Sequence, residues 1–249
     1  MSHVQKVEVV VAHHERATLR VGDVFLKIDP DQGLTDVEVE AMTMAPIPTP
    51  EILWRKAPVL ALGALPGKPL ARLGEPSTAP SAAWNAAGAV VRRLHDAPLP
   101  PWPSRRRGLD RAAILDGECA WLVSNDVLPA DVVSRNREFA AAALPPRAPV
   151  FAHGDLHVAH VFVDGDEITG VLDWSEAGQG DPMYDLACLT LGHREHLGDV
   201  VAGYGAEVDA DVIRGWWSLR SLTAIRWLLE HGFDPSAPGC EMDVLRSLL

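Results

Sequence analysis

The sequence contains little of what secreted and membrane proteins usually need. Its three cysteines lie far apart and include no CxxC pair, which argues against a disulfide framework and against a cysteine-built zinc site. No segment approaches the roughly 18 uninterrupted apolar residues of a membrane-spanning helix. The apolar run near the N-terminus is interrupted by His13 and His14 before it could form a secretory signal. We therefore expect a cytoplasmic protein that does not bind membranes.

Positive charge is also scarce. Lys and Arg number 22 against 34 Asp and Glu, so the net charge is −12 and the isoelectric point is about 5.2. Such a chain is a poor general partner for nucleic acid, because the phosphate backbone repels it, whereas it would suit a cationic small molecule. The 249 residues, 47% of them hydrophobic, exclude wholesale disorder and suffice for one large domain or two lobes.

The first part of the chain is rich in predicted strands. β-branched runs and turn residues predict five strands and one helix, which ends before three closely spaced prolines. The strands are expected at 7–11, 17–21, 24–28, 52–54 and 59–62, and the helix at 36–44. The segment 63–69 reads as a linker.

The remainder is predicted to be mainly helical. Helices are expected at 81–97 with Ser81 as the N-cap, at 110–123, at 130–143, from Pro182 onward and at 211–230. Short strands are expected at 150–152, 160–163 and 168–172, and Arg105, Arg106 and Arg107 are expected in a solvated loop. This change from predicted strands to predicted helices indicates two lobes with a cleft between them, an N-terminal lobe at 1–65 and a helical lobe at 66–249.

Polar residues that can do chemistry are concentrated between His153 and Asp185. They follow predicted strands, and Asp173 comes directly after the strand at 168–172. Two interpretations fit the residues alone. A hydrolytic metal cluster could use His153, Asp155, His157 and His160. Alternatively, Asp155 is a catalytic base, and His160 with Asp173 holds a metal that binds phosphates.

The motifs HGDLHVAH, LDWSEA and GDPMYDLA decide between these interpretations, because together they resemble the aminoglycoside phosphotransferase family. The match is most specific over 150–189, and Lys27, Glu38 or Glu40 and Leu94-His95 extend it more weakly. The resemblance implies an α+β, bilobal, protein-kinase-like fold with a small antiparallel β lobe and a larger helical lobe. It also implies transfer of the γ-phosphate of ATP or GTP, with Mg²⁺, to a hydroxyl of a small molecule.

The resemblance assigns roles to individual residues. Asp155 is expected to be the catalytic carboxylate that orients the acceptor hydroxyl and takes its proton. Asp173 and His160 are expected to bind the metal, and Lys27 the α- and β-phosphates. Glu40 is the preferred partner of Lys27, with Glu38 as the reserve. The resemblance places the nucleotide against the linker at 60–65.

Other residues of the motifs are expected to support the loop. His153 and His157 should hydrogen-bond to backbone groups, while Asp181 and Asp185 should stabilise a helix N-terminus. The acids at 199–211 could meet a cationic acceptor.

Two features depart from most of the family. His160 stands where most members have Asn, although the macrolide kinases of the family look similar here, and the turn at 12–16 has no glycine-rich phosphate loop. An aminoglycoside- or macrolide-type antibiotic is the expected acceptor. The alternatives are a metabolite such as choline, homoserine or a sugar, and a non-catalytic nucleotide-binding module.

Overall fold

A five-stranded antiparallel sheet forms the first part of the structure. The computed structural model describes residues 6–12, 16–105 and 108–248. The strands occur in the order β1-β2-β3-β5-β4, and they are β1 (Val7–Ala12), β2 (Ala17–Val21), β3 (Val24–Ile28), β4 (Ile52–Lys56) and β5 (Val59–Gly63). All five predicted strands are present. In β3, Lys27 is paired with Thr18 of β2 and with Leu60 of β5, so a central strand carries it.

The helix α1 (Gln32–Met44) connects β3 to β4. It begins four residues before the predicted start because Asp31 caps it, accepting hydrogen bonds from the backbone N–H groups of Gly33 and Leu34. Its buried face includes Glu38, Ala41 and Met42. This face brings a carboxylate towards the interior of the protein.

Seven further helices build the rest of the described chain. They are α2 (Ser81–His95), α3 (Arg111–Ser124), α4 (Ala130–Ala140), α5 (Pro182–Thr190), α6 (Leu197–Tyr204), α7 (Ala210–Glu230) and α8 (Glu241–Ser247). The prediction that Ser81 caps α2 is wrong, because Pro80 is the N-cap residue and Ser81 is the first helical residue. The predicted helix at 130–143 ends as a 3-10 turn over Ala141–Ala143. No described helix has the length and apolar character needed to cross a bilayer.

Two small sheets carry the motif residues. Strand β6 (Lys68–Pro69) pairs with β8 (Val161–Asp164), which pairs with β9 (Glu167–Val171), and β7 (Val150–Ala152) pairs with β10 (Gly178–Gly180). The sequence predicted neither β6 nor β10. The loop between β7 and β8 therefore lies beside the segment after β9.

The core lies mainly in the helical part. Trp84, Phe151 and Trp174 are fully buried there, and Trp216 and Trp217 of α7 are buried as well, whereas Trp227 is 41% exposed. The bilobal α+β fold expected from the sequence, with a small antiparallel sheet and a larger helical part, is confirmed by this architecture. The boundary at residue 65 stays a prediction.

The contact between α2 and α6 depends on glycine. A Cβ atom at Gly203 would lie 1.8 Å from the carbonyl oxygen of Asn85, and one at Gly88 would lie 2.0 Å from that of Val200. Backbone atoms occupy both places, so no side-chain rotation can make room. The two helices can approach this closely only because both positions lack a side chain.

We predict that Gly203→Ala lowers the free energy of unfolding by about 1–3 kcal/mol, since the added methyl group separates α6 from α2. Gly198→Ala is the matched control on the same helix, because no atom lies within 4 Å of a Cβ placed there. The control should be neutral or slightly stabilising. Urea unfolding of both variants measures the difference, and equal stabilities would contradict the packing argument.

Candidate active site

A buried carboxylate fixes the loop that follows β7. Asp185 of α5 is fully buried and accepts hydrogen bonds from the backbone N–H groups of His153 at 2.7 Å and Gly154 at 2.9 Å. Gly154 has a φ of +83°, and a Cβ there would lie 2.2 Å from the carbonyl oxygen of Glu176. The loop can therefore adopt this path only with glycine between His153 and Asp155.

Two side chains from outside the motif complete the support of Asp185. His95 of α2 donates through Nε2 to Asp185 at 3.1 Å, and its Nδ1 is hydrogen-bonded with the Tyr204 hydroxyl at 3.0 Å. Burial alone would raise the pKa of Asp185, but the hydrogen bond and charge of His95 outweigh it, so the pKa is lowered. Asp185 thus supports the loop, while Asp181 caps α5 as expected by accepting from the Met183 N–H.

His153 holds the loop through both ring nitrogens. Its Nε2 donates to the carbonyl oxygen of Leu172 at 2.8 Å, and its Nδ1 accepts from the N–H of Asp155 at 3.3 Å. Neither nitrogen remains for a metal, so His153 cannot belong to the four-residue hydrolytic cluster considered from the sequence. The expectation that His153 binds backbone groups is confirmed.

The Asp155 carboxylate faces an open cavity. Its side chain is 32% exposed, and within the described residues it accepts no hydrogen bond. Arg220 of α7 forms an ion pair with it, because its Nη2 lies 3.9 Å from Asp155 Oδ1. Burial would raise the pKa of Asp155, but His157, His160 and Arg220 outweigh it and lower the pKa. An ionised carboxylate with free oxygens can accept a proton.

Lys27 joins the two parts of the protein. Its Nζ lies 2.6 and 2.7 Å from the two carboxylate oxygens of Glu38, and 3.0 Å from Oδ1 of Asp173. Burial would lower the pKa of Lys27, but the two carboxylates outweigh it and raise the pKa. The pKa of Asp173 falls well below its usual value, because Lys27, His160 and Arg16 outweigh the effect of burial.

The choice of Glu40 as the partner of Lys27 is wrong. Glu38 makes the contact, and Glu40 is exposed. Positions 38 and 40 differ by about 200° around a helix, so only one of them can face the sheet. Glu38 shares its face with Ala41 and Met42, three and four residues further on, and both of these are buried.

Asp173 has an unusual backbone conformation. It follows β9 with a φ of +60°, which is rare outside glycine, and Ser175 Oγ donates to its Oδ1 at 3.1 Å. The conformation turns the chain so that the carboxylate reaches Lys27. A backbone conformation of this kind costs free energy, and in proteins such conformations are concentrated at functional sites.

His160 offers one ring nitrogen to the same place. Its Nδ1 donates to the backbone carbonyl of Asp155 at 2.9 Å, which leaves the lone pair on Nε2. That nitrogen lies 3.7 Å from Asp173 Oδ2. A hydrogen bond of this kind orients metal-binding histidines, so the pair fits a divalent cation.

A second group of possible ligands overlaps with this pair. The ligand atoms of Asp155, His157 and His160 lie within 4.8 Å of one another. However, His157 Nδ1 accepts from the N–H of Ala159 at 3.3 Å, so the neutral ring carries its proton on Nε2. Burial lowers the pKa of His157 to about 3. Because the bond from Ala159 occupies Nδ1 of His157, Asp173 is the better partner of His160 for a metal ion. The same bond fixes the loop, as expected.

The cavity that Asp155 faces has a volume of about 1180 Å³. It lies between α3, α7 and β10, with Arg16, Asp29 and Leu34 of the β-rich part on its other side. Its apolar wall includes Ile114 and Trp216. Such a volume is large enough for a drug-sized molecule.

The acids of the helical wall are paired with arginines. Glu176 contacts Arg105 at 3.0 Å, and Asp181 contacts Arg147 at 3.3 Å. Glu241 contacts Arg220 at 2.7 Å. None of the described lining residues comes from 199–211, so the acids expected to meet a cationic acceptor lie elsewhere.

Parts of two predicted loops lie outside the described residues: His13, His14 and Glu15, where no glycine-rich loop was found, and Arg106 and Arg107 of the basic triplet. Arg105 is described, and it pairs with Glu176 in the cavity wall.

Arg220 was not among the site residues predicted from the sequence. A signal was present, because the arginine lies four and three residues after Trp216 and Trp217 on a helix. A cation on an apolar helix face usually has a buried partner or a function.

Comparisons with known proteins agree with this geometry. The profile of the phosphotransferase enzyme family matches residues 16–222. The chain is 30% identical over 172 residues to a streptomycin 3''-kinase of Streptomyces griseus, covering 60% of each protein. It is 29% identical over 122 residues to an aminoglycoside 3'-phosphotransferase of Enterococcus faecalis, covering 44% of each. The chain thus spans about half the length of these curated relatives.

A solved structure is similar over a larger share of the chain. The aminoglycoside phosphotransferase APH(3'')-Id of Streptomyces rimosus is 26% identical, with a TM-score of 0.62 over 87% of this chain and 92% of that one. The family profile covers β2 to β5 of the first sheet, Lys27, the loop with Asp155 and most of α7. The family expected from the motifs is confirmed: the chain belongs to the phosphotransferase enzyme family.

Proposed function

We propose that the protein is a nucleoside-triphosphate-dependent O-phosphotransferase of a small molecule. One observation carries the proposal: Lys27 joins Glu38 and Asp173 beside a loop whose Asp155 carboxylate is open to a large cavity. Phosphoryl transfer needs this combination, a charged site for phosphates next to a carboxylate that faces the acceptor.

Lys27 would bind the α- and β-phosphates, and Glu38 would hold its ammonium in place. The Streptomyces rimosus relative has also been solved with ADP and streptomycin, which supports a nucleotide as co-substrate. Asp173 and Nε2 of His160 would hold Mg²⁺, which would neutralise charge on the phosphates when bound. One carboxylate is sufficient for this ion when phosphate oxygens complete the coordination. The co-substrate is ATP or GTP.

Asp155 would orient the acceptor hydroxyl and accept its proton. The lowered pKa keeps the carboxylate ionised at neutral pH, and its free oxygens can accept a hydrogen bond from the acceptor. The hydrogen bonds from His153 and Gly154 to Asp185 hold the loop before substrate binds. Positioning of this kind accounts for most of the catalysis of phosphoryl transfer.

The acceptor would be an antibiotic of the aminoglycoside or macrolide type. Relatives that phosphorylate aminoglycosides support the first, and the resemblance at His160 and Asp173–Ala177 supports the second. Because arginines pair the acids Glu176, Asp181 and Glu241 of the helical wall, a cationic acceptor would meet mainly Asp155 and, on the other side of the cavity, Asp29 and Asp31. A kinase of a metabolite such as choline, homoserine or a sugar is the alternative on the same scaffold.

The nucleotide would lie between an N-terminal lobe at 1–65 and a helical lobe at 66–249. Because His160 stands where most members of the family have Asn, a non-catalytic nucleotide-binding module is a further alternative. Its Nε2 faces Asp173, and this geometry favours catalysis. We propose a cytoplasmic enzyme without nucleic-acid or membrane partners.

One prediction of the proposed function concerns Asp155. Asp155→Asn should lower kcat by about 10³-fold, because the amide cannot take the proton, while the nucleotide Kd stays within about threefold. Phosphorus NMR and release of nucleoside diphosphate are measured across aminoglycosides, macrolides, choline, homoserine and sugars.

Asp164→Asn is the matched control, because Asp164 is exposed at the end of β8. The control should keep the activity of the unchanged protein. Full turnover by Asp155→Asn, or nucleotide binding without turnover of any acceptor, would contradict the proposed function.

Another prediction of the proposed function compares the roles of the two glutamates of α1. Glu38→Gln should raise the KM for the nucleotide and lower kcat, together by about 10²-fold in kcat/KM, because Lys27 loses a charged partner. Glu40→Gln should leave both constants unchanged, since this side chain is exposed. Steady-state kinetics at saturating acceptor measures both variants, and equal effects would contradict the assignment of Glu38.

A further inference from the structure

Arg220 links the C-terminal helix to the candidate catalytic loop. Its Nη1 donates to Oε1 of Glu241 at 2.7 Å, and its Nη2 lies 3.9 Å from Oδ1 of Asp155. The side chains of Arg220 and Glu241 are only 18% and 11% exposed. Three elements, α7, α8 and the loop after β7, thus meet at one guanidinium.

The guanidinium of Arg220 contacts two carboxylates, those of Glu241 and Asp155. A guanidinium has a rigid fork of donors, so the bond to Glu241 fixes the direction of the remaining N–H groups. Those groups face Asp155 and the cavity, which Arg220 and Glu241 both line. A lysine at position 220 would have a single charged atom instead of a fork of donors, so it could not fix separate donors in the directions of Glu241 and Asp155.

The distance to Asp155 is also informative. At 3.9 Å the contact is an ion pair without a hydrogen bond, so both lone pairs of each carboxylate oxygen stay available. The pair orients the carboxylate by charge and leaves it free to accept the hydroxyl proton. Removing one partner of a buried ion pair usually costs far more than exchanging the whole pair.

We propose that Arg220, anchored by Glu241, is a positioning residue that turns the Asp155 carboxylate towards the acceptor hydroxyl. The inference rests on the proposed function. The hydroxyl oxygen forms a bond to the γ-phosphorus, the bond from that phosphorus to the bridging oxygen breaks, and nucleoside diphosphate leaves. Asp155 takes the hydroxyl proton, and Arg220 exchanges no proton and keeps its charge throughout.

The inference is tested with Arg220→Gln, Arg220→Lys and Glu241→Gln. Arg226→Gln is the matched control on α7, because Arg226 is exposed and pairs with Glu230. Arg220→Gln should lower kcat by about 30-fold, with the nucleotide KM within about threefold. Arg220→Lys should recover part of the loss, Glu241→Gln should lower kcat less than Arg220→Gln, and the control should match the unchanged protein.

The decisive measurement is a double-mutant cycle with Asp155→Asn. If Arg220 acts through Asp155, adding Arg220→Gln to Asp155→Asn lowers the residual kcat no further. A further 30-fold loss, or a normal kcat in a folded Arg220→Gln variant, overturns the inference. Should Arg220→Gln fail to fold, Arg220→Lys and Glu241→Gln give the same cycle. Asp155→Asn alone tests the proposed function, so the two failures are distinguishable.

Discussion

The ammonium of Lys27 lies between two carboxylates that come from different parts of the chain. Glu38 belongs to α1, the helix that connects β3 to β4, and Asp173 follows β9, a strand of the helical part. Each carboxylate would be costly to bury alone, and Lys27 compensates both. The position of α1, the direction of β3 and the left-handed backbone at Asp173 are all consistent with this single contact. The proposed phosphate site can form only where these three elements meet.

Asp185, another buried carboxylate, performs the corresponding task for the proposed catalytic loop. Asp185 binds two consecutive backbone N–H groups and His95, which in turn binds Tyr204 of α6. The close approach of α2 and α6 at Gly88 and Gly203 therefore affects the loop, although it lies outside it. Packing of the helical part and geometry of the site are connected through hydrogen bonds of fixed direction.

The sequence predicted the features that local patterns determine. The five strands of the first sheet followed from β-branched runs, and the loop residues followed from the motifs between His153 and Asp185. The partner of Lys27 did not follow, because Glu38 and Glu40 are equally close in sequence and only the packing of α1 selects one. Arg220 was missed because its partners, Asp155 and Glu241, come from distant segments. Nor could the sequence show that the acids near the cavity are paired with arginines.

The central claim is that Lys27, Glu38 and Asp173 form the phosphate site. A crystal structure with bound nucleotide and Mn²⁺, located by its anomalous signal, tests it most directly. The account predicts that Lys27 keeps its contact with Glu38 and binds a phosphate, with the ion on Asp173 and His160. An ion held by Asp155, His157 and His160 away from the phosphates, or a Lys27 that has left Glu38, would contradict it.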